Sequence, residues 1–425
     1  MPHLPQIDSR TIARGVAALG LNLAIACTGL ATAMVAAPLV AAEVVVMRKE
    51  LAIPLLAAQE LIKAQKFDEA LVRIREADAA PGKTPDEQLV IERNRAVASY
   101  GAGDLPAAAA AWELVLAGGK LEAADRMSVI QGLYQMYYKA KNYPKAIAWM
   151  DRYSKEGGVD PAQPLLLAGA YYLSGDYPRA TATVEAHLRT EEAAGRTPAE
   201  EELKLLVLLA ERAPDKAAYG VALERLAAAY PRREFVANLL NRVPAKAGFS
   251  DRLVLDVYRL KLAIGTLANA TAYTDAAQLA TTAGYPAEAR AILEAGVKAG
   301  MLGTGPDAAK NKKLIDQATK AASDDIKTME KGEAEANAGK DGTGLVNLGY
   351  ALVTAGQNER GIALMEKGIA KGGLRRADDA RLHLGIAYLR AGRTADAVRT
   401  LKTVQGSDGT ADLARLWIMQ SGSPA

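Results

Sequence analysis

Sulfur and imidazole chemistry have almost nothing to work with in this chain. Among 425 residues there is one cysteine, Cys27, and three histidines, His3, His187 and His383. One thiol excludes an intramolecular disulfide framework and any multi-cysteine zinc site. No histidine has a Cys or His neighbour at ligand spacing, so no metal and no cofactor is expected. Aromatics are sparse as well, at 5% of residues. Neither sign of charge dominates: 52 Lys+Arg face 49 Asp+Glu, a formal net charge of +3. A dedicated nucleic-acid binder would carry a clear basic excess, so that class is excluded. The chain is also half hydrophobic, which is too apolar for disorder.

Catalytic strings are missing too. No Ser sits in a G-x-S-x-G elbow, and no G-x-x-x-x-G-K-[ST] loop occurs. Gly303-Thr304-Gly305 with Lys310, Lys312 and Lys313 lacks the strand and the helix-opening Lys of a phosphate loop, and reads as a connection between repeats. Glu200-Glu201-Glu202 suits the positive end of a helix dipole. Arg232-Arg233 and Arg375-Arg376 read as solvated surface, and His383 as a packed or surface histidine. The chain is expected not to be an enzyme.

What the chain does contain begins at its N-terminus. Arg10 and Arg14 precede a stretch without charge from Gly15 to Ala42. A basic start, an apolar run and the small residues Val40-Ala41-Ala42 read as a secretory signal peptide with Glu43 as the mature end. Two other readings stay open. The stretch is long enough for an uncleaved anchor helix through residues 15–42, and Ala24-Ile25-Ala26-Cys27 loosely resembles a lipoprotein cleavage box. Cleaved or anchored, the remainder is expected outside the cytoplasm, in the periplasm or otherwise exported.

Self-similarity runs through the rest. Ala102-Gly103-Asp104-Leu105-Pro106, Lys141-Asn142-Tyr143-Pro144, Ser174-Gly175-Asp176-Tyr177-Pro178 and Gly284-Tyr285-Pro286 share one turn pattern. Anchored on the turn, units fall at Gln65, Gly103, Lys141, Gly175, Ala213, Gly248, Gly284, Lys320, Gly356 and Gly392, spaced 34 to 38 residues apart. Nine residues beyond each anchor the position is always apolar, from Ile74 to Leu401. Five beyond, it is Ala or Gly except at Leu253 and Asp325. Each unit reads as two helices joined by a tight turn. Gly accommodates the left-handed backbone that ends the first helix, Asp or Asn caps the second, and Pro fits its opening turn. So short a hairpin cannot bury its apolar face alone, so neighbours must stack.

Two units are especially regular: Leu345-Val346-Asn347-Leu348-Gly349-Tyr350-Ala351-Leu352 with Gly356, and Leu382-His383-Leu384-Gly385-Ile386-Ala387-Tyr388-Leu389 with Gly392. Through their Leu-Gly pairs, large apolar residues and small second-helix residues, the chain resembles the tetratricopeptide repeat (TPR) family over roughly residues 50–405. The resemblance implies an all-α, right-handed α-solenoid of stacked helix–turn–helix hairpins. First helices would line a concave groove that holds a protein or an extended peptide. Chaperone-binding members grip a C-terminal carboxylate with a lattice of basic and Asn residues. Arg93 with Val97, or Leu165 with Gly169, does not provide it.

The domain plan that follows has residues 1–42 as signal peptide or anchor, 43–298 as TPR-like repeats and 299–344 as a divergent hairpin between glycines. Residues 345–406 form two well-matched repeats, and 407–425 a capping helix and tail. Each hairpin should touch only its neighbours, so a chain cut after Gly296 should keep its N-terminal array. Tyr100, Tyr138 and Tyr172 stand three residues before successive anchors, with Tyr134 one turn before Tyr138. They are the candidate partner-binding residues, since tyrosine joins a large apolar ring to a hydrogen-bonding tip. The expected function is a non-catalytic exported scaffold or adaptor. The alternative is a TPR component of a cell-envelope polymer (exopolysaccharide) export, secretion or assembly machine. The residues leave the oligomeric state open.

Overall fold

The computed structural model describes residues 47–422, and the signal-peptide and anchor readings of residues 1–42 lie outside them. All regular structure among the described residues is helical. The chain divides into two compact units, one ending at Ala222 and the other beginning at Leu223.

The first unit is a run of hairpins. Its helices are α1 (Lys49–Lys63), α2 (Phe67–Asp78), α3 (Pro85–Gly101), α4 (Leu105–Ala117) and α5 (Ala123–Lys139), followed by α6 (Tyr143–Lys155), α7 (Gln163–Leu173), α8 (Tyr177–Ala193) and α9 (Glu200–Arg212). The border falls within α10 (Lys216–Ala229). Helices pair as α1/α2, α3/α4, α5/α6 and α7/α8, and each pair packs on the next. The turns follow the residue chemistry. Gly103 and Gly175 have φ of 82° and 81°, while Gln65 and Lys141 occupy the same left-handed region at 60° and 59° without being glycine. Asp104 accepts from the Ala107 N–H at 3.0 Å and Asp176 from the Arg179 N–H at 3.2 Å, capping the second helices. The small residues five beyond the anchors, Ala70, Ala108, Ala146 and Ala180, are fully enclosed where the paired helices meet. Arg48 fixes the start of α1 by reaching Glu87 on α3 and the Pro81 and Gly82 carbonyls.

The second unit contains α11 (Arg233–Arg242), α12 (Val254–Ala263), α13 (Ala270–Thr282), α14 (Pro286–Lys298) and α15 (Ala308–Ala338). After them come α16 (Thr343–Thr354), α17 (Asn358–Lys371), α18 (Ala377–Arg390), α19 (Thr394–Leu401) and α20 (Thr410–Ser421). Segment 299–344 differs from the hairpin expected there, because it holds one unbroken helix of 31 residues, α15. No Gly or Pro occurs between Ala308 and Lys331, so nothing stops the helix, and Lys320 lies inside it rather than at a turn. Ala213 likewise leaves α9 in extended rather than left-handed backbone.

Glycine sets the tightest pairing. A Cβ on Gly349 would sit 2.6 Å from the Gly361 carbonyl oxygen, and one on Gly361 would sit 2.4 Å from that of Gly349. Helices α16 and α17 therefore touch backbone to backbone. Helix α20 buries Leu413, Leu416 and Trp417 and packs on α18 and α19. It also packs on α11 and α12. Lys246 reaches Asp412 at 2.9 Å, and the Ser250 N–H donates to the Asp408 carbonyl at 3.0 Å. Contacts confined to neighbouring hairpins do not describe this unit. Its last helix returns to its first ones, with Thr410, Leu413, Ala414, Leu416 and Trp417 buried.

Candidate functional site

The return of the chain brings α12, α14, α16 and α18 around one charged cluster. Within the apolar run Val254-Leu255-Asp256-Val257-Tyr258-Arg259-Leu260, Asp256 and Arg259 stand three apart and share a helix face. Both are buried. Arg259 Nη2 donates to Glu288 Oε2 on α14 at 2.6 Å, and Nη1 donates to Asp256 Oδ1 at 2.8 Å. Arg390 on α18 supplies a second cation to Glu288, at 2.7 Å. His383 Nε2 lies 2.9 Å from Asp256 Oδ1 and 3.1 Å from Arg259 Nη1. Its ring stacks on Tyr350 of α16 with centroids 4.7 Å apart. Arg259 lies over the Tyr350 and Tyr285 rings, at 4.8 and 5.4 Å from their centroids.

Burial and pairing pull these groups in opposite directions, and pairing prevails. Burial pushes the Asp256 carboxyl up, but the charges and hydrogen bonds of His383 and Arg259 hold it below the usual carboxylate range. Glu288 is lowered in the same way by Arg259 and Arg390 against its own burial. Arg259 is held firmly charged, since Glu288 and Asp256 overcome its burial. Burial raises the Tyr350 phenol, whose hydroxyl finds no hydrogen-bond partner among the described residues.

Above this cluster opens a cavity of about 550 Å³, with Asp256, Arg259 and His383 in its wall. Arg252 lines it too, bound to Asp379 at 2.7 Å and to Asp408 at 2.6 Å. Asp408 is thereby held down at about 2, by the Thr410 hydroxyl first and then by Arg252, against burial. Asn347, Arg375 and Arg376 complete its exposed side, and the two arginines make no ion pair among the described residues. His383 is thus a packed histidine tied to a carboxylate, and among the described residues no hydroxyl or thiol is hydrogen-bonded to it. No group of His, Cys, Asp and Glu suited to a metal ion occurs among the described residues.

The candidate tyrosines belong to the first unit. Tyr134 is wholly enclosed, donating to Asp160 Oδ2 at 2.5 Å and meeting Tyr153 edge to face. That enclosure leaves no ring face for a partner. Tyr100, Tyr138 and Tyr172 are half-buried. Tyr138 packs on Tyr143 and Tyr172 on Tyr177, each ring resting on the start of the second helix of its own hairpin, with centroids 5.6 Å apart. Sequence reasoning missed the charged cluster. Its one visible signal is the Asp256 and Arg259 pair inside an otherwise apolar helix, since charges at such positions need partners.

No family model matches this chain, and no curated protein matches it. Among solved structures it is similar to Naa15/Naa10 bound to HypK-THB, with 16% identity over 93% of this chain and 62% of that chain, and a TM-score of 0.33. It is similar to the TPR2AB-domain:pHSP90 complex of yeast Sti1, with 16% identity over 70% of this chain and 99% of that one, at a TM-score of 0.21. For the yeast Tom70 the values are 10% identity, 88% and 96% coverage, and a TM-score of 0.20. The helical hairpins of this chain stand on their own geometry, independent of these likenesses.

Proposed function

We propose that the chain is a non-catalytic, exported TPR-like scaffold that holds a protein or an extended peptide segment, with the cavity of the second unit as its principal grip. The observation that carries this reading is the cavity of about 550 Å³ with an exposed Arg375-Arg376 pair at its edge. That volume falls within the range of about 300–1,000 Å³ in which ligands are enclosed. Its charged wall is already internally paired, so it serves as a rigid surface rather than a proton-transfer set. The arginines make no ion pair among the described residues and can fork onto a carboxylate of a bound chain. Export rests on the basic start and uncharged run of residues 1–42. Among the described residues no helix is long and apolar enough to cross a membrane. The exposed parts of the Tyr100, Tyr138 and Tyr172 rings form a further contact surface in this reading.

Panning a random-peptide library against the purified chain tests it. Changing Arg375 and Arg376 together to Ala is expected to weaken the selected peptides by roughly tenfold or more, with the melting temperature unchanged, as for loss of a charge-assisted contact. Unchanged affinity would reject the cavity. Unchanged affinity after Tyr138→Ala with Tyr172→Ala would remove the tyrosine row from the binding surface.

A further inference from the structure

The first hairpin exposes residues that its successors bury. Twelve and nine residues before the turn, the second, third and fourth hairpins carry Ile91 and Asn94, Val129 and Gly132, and Gln163 and Leu166, all buried. These positions face the preceding hairpin. Ile91 joins the cluster of Leu51, Leu55 and Ile74, and the Gln163 amide donates to the Met150 carbonyl at 2.7 Å. In the first hairpin the equivalent residues are Ile53 and Leu56, which are 68% and 62% exposed. Helix α1 therefore presents a stacking face on which nothing stacks among the described residues.

We propose that this face pairs with the same face of a second copy of the chain, α1 against α1 about a two-fold axis. Charge complementarity carries the choice of occupant. Lys49, Ile53, Leu56 and Glu60 recur at helical spacing along one exposed stripe. In an antiparallel pair, the register that sets Ile53 opposite Leu56 of the other copy also sets Lys49 opposite its Glu60. The two-fold axis then repeats both matches, so one stripe supplies two apolar contacts and two opposite-charge contacts. Lys49 has no other ion pair among the described residues, while Glu60 meets only the exposed Lys63, at 2.7 Å. The choice of a second copy rests on the reading that residues 1–42 are removed. Residues 43–46 alone then precede the described chain, and they are too short to cover a stripe about 16 Å long. A single helix pair buries less than the standard interface of about 800 Å² per partner, so a dissociation constant in the micromolar range is expected.

The test is sedimentation of the purified chain over a concentration series, with its intact mass recorded on the same sample. A product starting at Glu43 should self-associate, and Ile53→Glu with Leu56→Glu should make it monomeric without lowering its helix content. Lys49→Glu alone, or Glu60→Lys alone, should weaken association by roughly tenfold, because each sets two like-charged pairs face to face. The double variant, Lys49→Glu with Glu60→Lys, should restore it. A product starting at Glu43 that stays monomeric throughout, or a double swap no better than either single one, overturns the pairing. If the mass shows residues 1–42 retained, the cleavage reading fails by itself. A monomer of that retained form would then overturn the pairing in favour of residues 15–42 as the cover, whereas association with the same charge-swap pattern would uphold it.

Discussion

Lys145 in the first unit and Arg259 in the second do similar work in opposite settings. Lys145 reaches Glu113 at 3.2 Å and the Tyr137 hydroxyl at 2.9 Å, tying α4, α5 and α6 together with about half of its side chain in water. Arg259 ties α12 to α14 with 3% of its side chain exposed. Water screens the Lys145 end of the first network, so Lys145 can be lost cheaply. In the second, each charge depends on the others for its solvation. The contrast extends to how the helices are joined. The first unit adds hairpin to hairpin, whereas the second closes α20 back onto α11 and α12. A linear stack survives the loss of an end, and a closed one does not.

The severest way to probe that difference is to end the chain after Gly296. This removes α18, which holds α12 and the turn before it through Arg259 to His383 and Arg252 to Asp379, and α20, which packs on α11 and α12. Hydrogen exchange should show amide protection lost throughout residues 233–263 and kept in residues 49–193. Protection surviving in α12 would mean that closure is incidental to the second unit.

A smaller effect is expected from Arg259→Ala, which strands Asp256 and Glu288 as buried anions. It should cost about 3–5 kcal/mol in denaturant unfolding, against at most about 1 kcal/mol for Lys145→Ala. Both carboxyls are held below their usual range, so the contribution they make is complete above about pH 4. It fades as pH falls further, and the gap between the native chain and the Arg259 variant should narrow with it. Equal costs for the two substitutions would erase the distinction between the units.

Glycine gives the mildest of the three contrasts. Gly361→Ala forces a methyl into the Gly349 carbonyl and should cost about 1–3 kcal/mol. Gly220 lies in a helix with open space where its Cβ would be, so Gly220→Ala should stabilise by about 0.5–1 kcal/mol. Thermal melts of the two variants should move in opposite directions.

The hairpin repeat was legible because its signals are local. A left-handed turn, a capping Asp and an enclosed Ala each act within a few residues, as at Gly103, Asp104 and Ala108. The same local logic failed at Lys320, where apolar spacing alone suggested two helices but no breaker divided them. Tyr134 was misplaced because its position on the helix, one turn from Tyr138, does not reveal which face is covered. The charged cluster was illegible for a further reason. Asp256 and Arg259 depend on Glu288, His383 and Arg390, and pairings up to 127 residues apart have no periodicity to betray them.

The returning α20 also sets the order in which the chain can assemble. Hairpins of the first unit meet partners only tens of residues away, so each can settle as soon as it has emerged during synthesis. The Lys246 to Asp412 and Arg252 to Asp408 links span 166 and 156 residues, and both need residues made long after their partners. Bringing such distant segments together slows folding, because closure entropy must be overcome first, although that cost grows only slowly with loop length. The first unit can therefore form step by step on the growing chain, while the second waits, incomplete and with its inner charges still hydrated, until residues 408–421 have been made.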